Sequence, residues 1–533
     1  MCIRINKDTG LILLLIACSI FVTFICQAEG IFNKYVIEDD VTQYLPPVYA
    51  LLGGEYYRNL LDSDLILKYM FIKDAPGHLA VFYIFGLLSD PLILVKIIPF
   101  ILAAISAALL FYIGKILKNS IVGFFASFTF IFYVWTSQYA FFSGGHPKAF
   151  AFPLFFAFIY FLLSQKKTGC FITLLLQVIF YPPILAVTVP VYLFSLFKPK
   201  GVVKKDIIFF TVITLICMSL IYILYKQPND FLGPTVTAKE MKVMPEFGPG
   251  GRDPLFNLGI SGFLKSEDAS GIMVSGAFPY LLLLAIIGII YLGREIKSLP
   301  PLLFYILLSG ILVFILSYIF MFNLFFPGRY LEHTLPIFMI FIIAFAMEKL
   351  LTSGITDVFK KTICVSSVCL IALVHVPYLQ KNLYNFEKSF YTFIATLPEK
   401  SLIAGHPYEM DPVFTFTKRR TLVQFEVSTA WYKNYYSQIR ERTRDFFSTY
   451  YTDSLKDVED FFKKYNVDYL VVDKRHFSEG YMGSGNFYIE PFNNDIKVLV
   501  DENRGRFALM GEGINRYKVY EDPAGYFIIR MDQ

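Results

Sequence analysis

The sequence contains little charge for its length. Only 17% of its 533 residues are Asp, Glu, Lys or Arg, whereas 56% are hydrophobic. Soluble globular proteins carry about 25% charged residues, so this composition excludes that class and indicates an integral membrane protein. The formal net charge of +5 arises from basic residues in the apolar part of the chain. Membrane topology explains this excess, and we expect no nucleic-acid partner.

Cysteine is also scarce. All seven cysteines lie before residue 380, without the spacing of a metal site, and the last 154 residues contain none. The sequence therefore predicts neither a disulfide framework nor a zinc site. Charge divides the chain at the same place, since residues 1–379 are about 13% charged and residues 380–533 about 28%. We expect a membrane domain over 1–379 and a polar, separately folded domain over 380–533.

Apolar runs that approach the roughly 20 residues needed to cross a bilayer recur through the first part. The longest run, 170–197, is interrupted by Tyr181-Pro182-Pro183, and we interpret it as a hairpin of two short helices. The prediction is about eleven spans. The runs are 11–28, 92–114, 121–140, 149–164, 170–197, 207–225, 277–292, 301–322, 334–347 and 363–379.

The distribution of basic residues predicts the orientation. With a cytoplasmic N-terminus, the 48 cytoplasmic loop residues carry 15 Lys/Arg, whereas the 131 residues of the outer loops carry 11. The positive-inside rule therefore favours a multi-pass protein of the plasma (inner) membrane with an extracytoplasmic C-terminal domain. As an alternative, the first run could be a cleaved signal peptide, because Arg4 and Lys7 precede it and Cys26-Gln27-Ala28 resembles a cleavage site.

Two outer loops and the polar domain have local patterns. Loop 29–90 has helix-like apolar spacing, and we expect helices on the membrane surface; loop 226–276 is rich in Gly and Pro, typical of a mobile loop. The polar domain alternates helix and strand signals, which predicts a small α/β domain. Its helices are predicted at 382–397 and 457–465, its strands at 401–405 and 467–473, and a hairpin at 517–530. We interpret His406, Asp411 and His476 as scattered surface or loop residues.

The first outer loop contains three adjacent carboxylates, Glu38-Asp39-Asp40, just before a predicted helix. Adjacent carboxylates raise one another's pKa, so one of them could act as a general base, or together they could bind a cation. The alternative is that Asp40 caps the helix that starts near Val41, while Glu38 and Asp39 are simply solvated.

Two other outer loops carry cations suited to phosphate. Ser143-Gly144-Gly145-His146-Pro147-Lys148 precedes an apolar helix and could bind an anion; alternatively it is a tight turn whose Lys148 reaches lipid headgroups. Arg329 is the basic residue of loop 323–332, and a guanidinium suits bidentate binding of phosphate or diphosphate. The competing account is a structural pairing of Arg329 with Glu332 or with a lipid headgroup.

Taken together, these features resemble the GT-C superfamily of integral-membrane glycosyltransferases, which includes aminoarabinose transferases, protein O-mannosyltransferases and oligosaccharyltransferases. The shared features are the acidic motif in a long first outer loop, surface helices after it, Arg329-Tyr330 followed by Pro336 in a late span, and a polar C-terminal domain. The resemblance implies a donor sugar on a polyprenyl phosphate or diphosphate, with Asp40 or Asp39 as the base. Arg329 and Tyr330, with His146 and Lys148, would bind the donor phosphate.

The resemblance also implies the reaction. A sugar would be transferred with inversion, at the outer face, to an acceptor polysaccharide, lipid or protein. No second Asp-x-Asp motif is found in the later outer loops, so no metal ligand is assigned, no cofactor is certain and a divalent cation stays open. The alternatives are a transporter or flippase of lipid-linked saccharide, a polysaccharide polymerase or ligase, and a structural or sensor protein. Transport is disfavoured because only Lys96 is charged near the interior of a span.

Overall fold

The chain forms two compact units. The computed structural model describes residues 6–136, 141–197, 204–226, 229–254, 271–272, 276–320, 324, 326–354, 356–379, 382–503 and 505–531. Unit 1 comprises Met1–Glu38, Ala75–Gln227 and Leu258–Tyr384; unit 2 comprises Asp39–Asp74, Pro228–Asn257 and Asn385–Gln533. The acidic motif is thus divided, because Glu38 belongs to unit 1 and the two aspartates to unit 2. The division into domains at residue 379 stays a prediction.

Unit 1 consists of apolar helices. In the described part of the chain, seven helices are long and apolar enough to cross a membrane, and four apolar helices are shorter. Every predicted apolar run coincides with at least one of them, so the multi-pass helical architecture is confirmed, while the number of spans stays a prediction. The longer helices are Lys7–Phe32, Pro91–Leu117, Lys204–Lys226, Phe278–Ser298, Pro301–Ile319, Gly328–Thr352 and Asp357–Tyr378; the shorter ones are Ser120–Tyr133, Pro147–Leu163, Lys167–Phe180 and Pro182–Leu196.

The predicted break in the run 170–197 is confirmed. One helix ends at Phe180, the next begins at Pro182, and Tyr181 between them has a non-helical backbone. Proline lacks the N–H that would continue the first helix but suits the first position of a new one. The break places the Tyr181 side chain, 7% exposed, at a helix junction inside unit 1.

Two glycines bring neighbouring helices of unit 1 into close contact. A Cβ atom on Gly114 would lie 2.6 Å from the Cα of Gly123, and one on Gly123 would lie 2.4 Å from the carbonyl oxygen of Phe111. Small residues allow helix backbones to approach in this way. Between these helices, the Asn119 side chain caps the second one by accepting hydrogen bonds from the N–H groups of Ile121 and Val122.

The described parts of both long outer loops contain short helices. Those of the first loop are Val41–Leu52, Glu55–Ser63 and Leu65–Lys73 in unit 2 and Pro76–Gly86 in unit 1; those of the second are Ala238–Met241 and Pro245–Phe247. The predicted helices of loop 29–90 therefore exist, and their position on a membrane surface stays a prediction. Residues 229–254 do not fit the interpretation as a mobile loop, because their backbone is hydrogen-bonded to Trp431, Lys433 and Glu490 of the same unit.

The rest of unit 2 is built on a mixed five-stranded sheet. Its strand order is Arg420–Thr421, Leu402–Ala404, Tyr469–Asp473, Tyr526–Ile529 and Lys518–Glu521. The first three strands are parallel, and the last two form an antiparallel hairpin that pairs with the third. The predicted α/β domain is confirmed. The helices are Tyr391–Thr396, Pro407–Met410, Val413–Thr417, Lys433–Tyr450, Leu455–Tyr465, Glu479–Ser484 and Phe492–Glu502.

Two predictions for this domain are wrong. The helix predicted at 382–397 is restricted to Tyr391–Thr396, because the Asn385 side chain accepts a hydrogen bond from the N–H of Glu387 and forms a turn. The interpretation of His406, Asp411 and His476 as scattered surface residues is also wrong, since they are only 4%, 6% and 9% exposed, although His406 and Asp411 do lie outside the helix Pro407–Met410, in loops. The two histidine rings are in contact, with centroids 4.7 Å apart.

Candidate functional site in unit 1

Glu38 is a buried carboxylate at the end of Met1–Glu38, the first segment of unit 1. It follows the buried two-residue strand Val36–Ile37 and is itself 1% exposed. Its Oε1 atom lies 3.1 Å from Nε2 of His146 and accepts a hydrogen bond from Nζ of Lys148 at 3.2 Å. The interpretation of Glu38 as a solvated carboxylate is therefore wrong, because this side chain is buried and ion-paired.

The turn that contains Gly144 and Gly145 determines where the side chains of His146 and Lys148 lie. Gly144 and Gly145 adopt φ angles of 70° and 63°, which only glycine adopts without strain, and a Cβ on Gly145 would lie 3.0 Å from Ile98. The predicted tight turn is thus found, and it directs both basic side chains inward. Lys148 is 9% exposed and His146 is 1% exposed. The alternative in which Lys148 extends to lipid headgroups is wrong, because its ammonium group is paired with Glu38.

Arg329 lies in the short helix Gly328–Glu332, next to a second buried carboxylate. Its Nη1 donates to the Tyr181 hydroxyl at 3.4 Å, and its carbonyl oxygen contacts Nδ1 of His333. Tyr330 is 1% exposed, and its carbonyl oxygen accepts a hydrogen bond from Thr334. The turn that contains Arg329 is therefore fixed on the inside of unit 1.

Glu332 is the second buried carboxylate of this region, and the sequence suggested it only as a structural partner of Arg329. It is 4% exposed, and its carboxylate oxygens accept no hydrogen bond from the residues that the structure describes. The charges of Arg329 and Lys148 both act on it. We call Glu38, His146, Lys148, Arg329 and Glu332 the charged cluster. Buried ionisable groups within a membrane protein are energetically expensive, and they are usually retained for function.

The two aspartates of the acidic motif belong to unit 2. Asp40 occupies the N-cap position of the helix Val41–Leu52, yet its side chain makes no capping hydrogen bond to the N–H groups of the first turn, all of which are described. Its Oδ1 accepts a hydrogen bond from the Gln43 amide at 2.7 Å, and the Asp39 carboxylate accepts one from the Asp40 N–H at 2.9 Å. Helix capping by the Asp40 side chain is therefore wrong, and the catalytic roles of both aspartates stay predictions.

Three members of the charged cluster, Glu38, His146 and Glu332, are of residue types that bind divalent cations, and two of them lie close together. Glu38 and His146 offer ligand atoms within 4.8 Å of each other, and carboxylate and imidazole ligands suit Mn²⁺ and Zn²⁺. The same carboxylate oxygen, however, already accepts a hydrogen bond from the Lys148 ammonium group. A metal ion there would have to coexist with, or displace, a buried positive charge.

Comparison with known proteins identifies the fold. No protein-family model and no curated protein sequence matches the chain. Among solved structures it is similar to the oligosaccharyltransferase AglB of Archaeoglobus fulgidus in complex with an inhibitory peptide and a dolichol-phosphate, with a TM-score of 0.56 and 12% identity over 99% of this chain and 74% of that one. The chain is also similar to the apo form of the Archaeoglobus fulgidus oligosaccharyltransferase, with a TM-score of 0.53 and 10% identity over 94% of this chain and 73% of that one. The chain has the GT-C fold.

The GT-C fold expected from the resemblance is therefore confirmed over nearly the whole chain. The structural neighbours are oligosaccharyltransferases, and they give no preference for the aminoarabinose or O-mannosyltransferase groups. At 10–12% identity the likeness establishes the fold, and function has to be argued from the site.

Proposed function

We propose that this protein is a membrane glycosyltransferase that moves a sugar from a polyprenyl phosphate or diphosphate to an acceptor on the outer face of the membrane. The observation that carries the proposal is the charged cluster, which buries two carboxylates together with His146 and Lys148 and places the partly buried Arg329 beside them, inside a membrane unit of GT-C fold. A donor with a prenyl tail enters from the bilayer, and its phosphate has to be neutralised near the membrane.

In this proposal the cations of unit 1 bind the donor phosphate. Arg329 supplies a planar guanidinium that can hold two phosphate oxygens, and its hydrogen bond to Tyr181 directs the group. Lys148 and His146 supply further donors from the glycine turn. Tyr330 follows Arg329 in the sequence, and its side chain is buried. We assign Tyr330 the role of fixing the helical turn that carries the guanidinium group.

Asp40, with Asp39 as the alternative, is proposed as the base. The carboxylate takes the proton of the acceptor nucleophile, whose oxygen or nitrogen forms a bond to the anomeric carbon as the bond from that carbon to the phosphate oxygen breaks. Prenyl phosphate or diphosphate leaves with the electron pair, and the anomeric carbon is inverted. Glu38 is less suited to this role because it already accepts a hydrogen bond from Lys148 and contacts His146.

The identity of donor and acceptor is argued by analogy. The Archaeoglobus fulgidus AglB structure contains a dolichol-phosphate and an inhibitory peptide. We propose a polyprenyl donor of that chemical class and a protein acceptor, with a polysaccharide or lipid acceptor as the alternative. The Lys/Arg bias of the loops supports a cytoplasmic N-terminus, an outer active site and residence in the inner membrane.

Reconstitution in lipid vesicles tests the proposal against a transporter. Vesicles that contain the purified protein and a fluorescent prenyl-diphosphate sugar are supplied with candidate acceptors. A glycosyltransferase yields a covalent sugar–acceptor product. A flippase moves the donor to the other leaflet and yields no such product, and that result would refute the proposed function.

A further inference from the structure

We propose that Glu332 and His333 bind hydroxyl groups of the donor sugar, next to the cations that hold its phosphate. Glu332 is the last residue of the short helix that carries Arg329, and His333 follows it directly. The inference rests on the proposed function and deepens it, because it assigns the part of the donor that these two side chains recognise.

The Glu332 carboxylate has no partner among the residues that the structure describes. The side chain is 4% exposed, and neither of its oxygens accepts a hydrogen bond. The charges of Arg329 and Lys148 act on it, but neither cation forms an ion pair with it in the described part of the chain. The structural pairing with Arg329 is therefore not formed. A buried carboxylate without hydrogen-bond donors is energetically costly, so donors supplied by a ligand are strongly favoured here.

His333 adds a third acceptor. Its side chain is 2% exposed, and its Nδ1 contacts the carbonyl oxygen of Arg329. Because a carbonyl oxygen can only accept, Nδ1 carries the hydrogen, and Nε2 of the neutral ring is an acceptor. Nε2 has no hydrogen-bond partner among the described residues.

These acceptors select the chemistry of the ligand. An ionised carboxylate only accepts hydrogen bonds, and a protonated one still leaves its carbonyl oxygen as an acceptor. Phosphate oxygens cannot satisfy such atoms, because they are acceptors too, whereas each hydroxyl group of a sugar brings an O–H donor. The rings of Phe141, Phe152 and Tyr181 surround His333, with centroids 5.1, 5.5 and 5.9 Å from that of the imidazole. A few polar groups among aromatic rings are typical of a small-ligand site.

Arg329 connects this site to the phosphate. Its Nη1 donates to the hydroxyl of Tyr181, whose ring is one of those around His333. In a glycosyl phosphate the sugar ring is bonded directly to the phosphate oxygen, so a phosphate on Arg329 brings the hydroxyl groups to the neighbouring acceptors. Since these acceptors are buried, the surrounding rings have to move apart to admit the sugar. The bound sugar is then shielded from water, which strengthens its hydrogen bonds.

Binding of lipids with and without a sugar to the full-length protein provides the test. Farnesyl phosphate and farnesyl diphosphate are the bare lipids, and the same lipids joined to glucose, galactose, mannose or N-acetylglucosamine are the sugar lipids. Affinities are measured for the wild type, Glu332→Gln, His333→Phe and the control Glu348→Gln. Glu348 is also a buried carboxylate of the helix Gly328–Thr352, but it is paired with Lys118 at 2.6 Å.

In the wild type, at least one sugar lipid should bind about tenfold or more tightly than the bare lipid, because each hydrogen bond contributes about twofold to tenfold. Glu332→Gln should lose much of this gain, because only one acceptor oxygen remains. His333→Phe should also reduce it, because Nε2 is removed. Neither change should weaken binding of the bare lipid, and the control should keep the full gain.

The inference is overturned if the bare lipids bind but no sugar adds affinity in the wild type, or if Glu332→Gln and His333→Phe keep the full gain. Equal weakening of bare and sugar lipids in Glu332→Gln would also overturn it, because Glu332 would then only shape the site. If His333→Phe does not fold, Glu332→Gln decides, since it keeps the shape of the side chain. If Arg329→Ala leaves binding of the bare lipids unchanged, the proposed phosphate site fails, while a gain that depends on Glu332 still supports the inference. If no lipid binds, both fail.

Discussion

Replacement of Asp40 by Asn distinguishes a catalytic base from a structural residue. The Asp40 side chain makes no capping bond, and its hydrogen bond from Gln43 at 2.7 Å can be accepted equally by the carbonyl oxygen of Asn. At this hydrogen bond the substitution removes only the charge-assisted part. This should lower the free energy of unfolding by about 1 kcal/mol or less.

The effect on the rate should be much larger. Loss of a general base costs about two to four orders of magnitude, which corresponds to about 3–5 kcal/mol in the activation free energy. The initial rate of sugar transfer and the melting temperature are measured on the same preparations. Glu38→Gln is the matched control, because it removes the carboxylate charge that pairs with the buried Lys148 at 3.2 Å. That change should cost about 3–5 kcal/mol of stability and lower the melting temperature clearly.

The reasoning is refuted if Asp40→Asn and Asp39→Asn both retain the full rate of transfer. Neither aspartate would then be the base, and weight would shift to a transporter. A fall in melting temperature for Asp40→Asn as large as that for Glu38→Gln would also contradict the account, because the loss of transfer would then follow from loss of the fold.

Three further predictions concern other parts of the chain. Arg329→Lys keeps the charge but loses the planar group that reaches Tyr181, so transfer should fall about tenfold; unchanged transfer in folded Arg329→Lys and Arg329→Ala would contradict a phosphate role. Burial lowers the pKa of His406 and of His476 below the ordinary value of 6.5. The unfolded state therefore binds more protons, and stability that is fully present above pH 6.5 should be lost as the pH falls below it. Melting temperatures measured against pH should show this fall, and His476→Phe should weaken it. A reporter fused after Gln533 should be extracytoplasmic, and a cytoplasmic signal would overturn the orientation.

Much of the fold could be predicted because its signals are local. Hydropathy over about 20 residues marks each apolar helix of unit 1, and a proline marks the break at Tyr181. In unit 2 the continuous apolar run around Val471 and the turn before Gly525 predicted a buried strand and a hairpin. The strand Arg420–Thr421 was missed because two residues are too few to show any alternation.

The charged cluster could be predicted only in part, because its contacts are not local. Glu38 is 108 residues from His146 and 110 from Lys148 along the chain, so no spacing rule connects them. In the sequence, Glu38, Asp39 and Asp40 are three adjacent carboxylates with no sign of which one is buried. In the structure, Glu38 is the one whose side chain is 1% exposed. Glu332 was considered only as a structural partner of Arg329, since nothing in a short loop indicates that its carboxylate is buried.

The most direct test of the central claim is to measure both products of the proposed reaction together. Purified protein is incubated with a defined prenyl-diphosphate or prenyl-phosphate sugar and an acceptor, with Asp40→Asn as the blank. The account predicts that prenyl phosphate or diphosphate is released in a one-to-one ratio with glycosylated acceptor, and that the blank forms both about two to four orders of magnitude more slowly. Glycosylated acceptor without release of the prenyl product, or intact donor after incubation with a full panel of donors and acceptors, would contradict it.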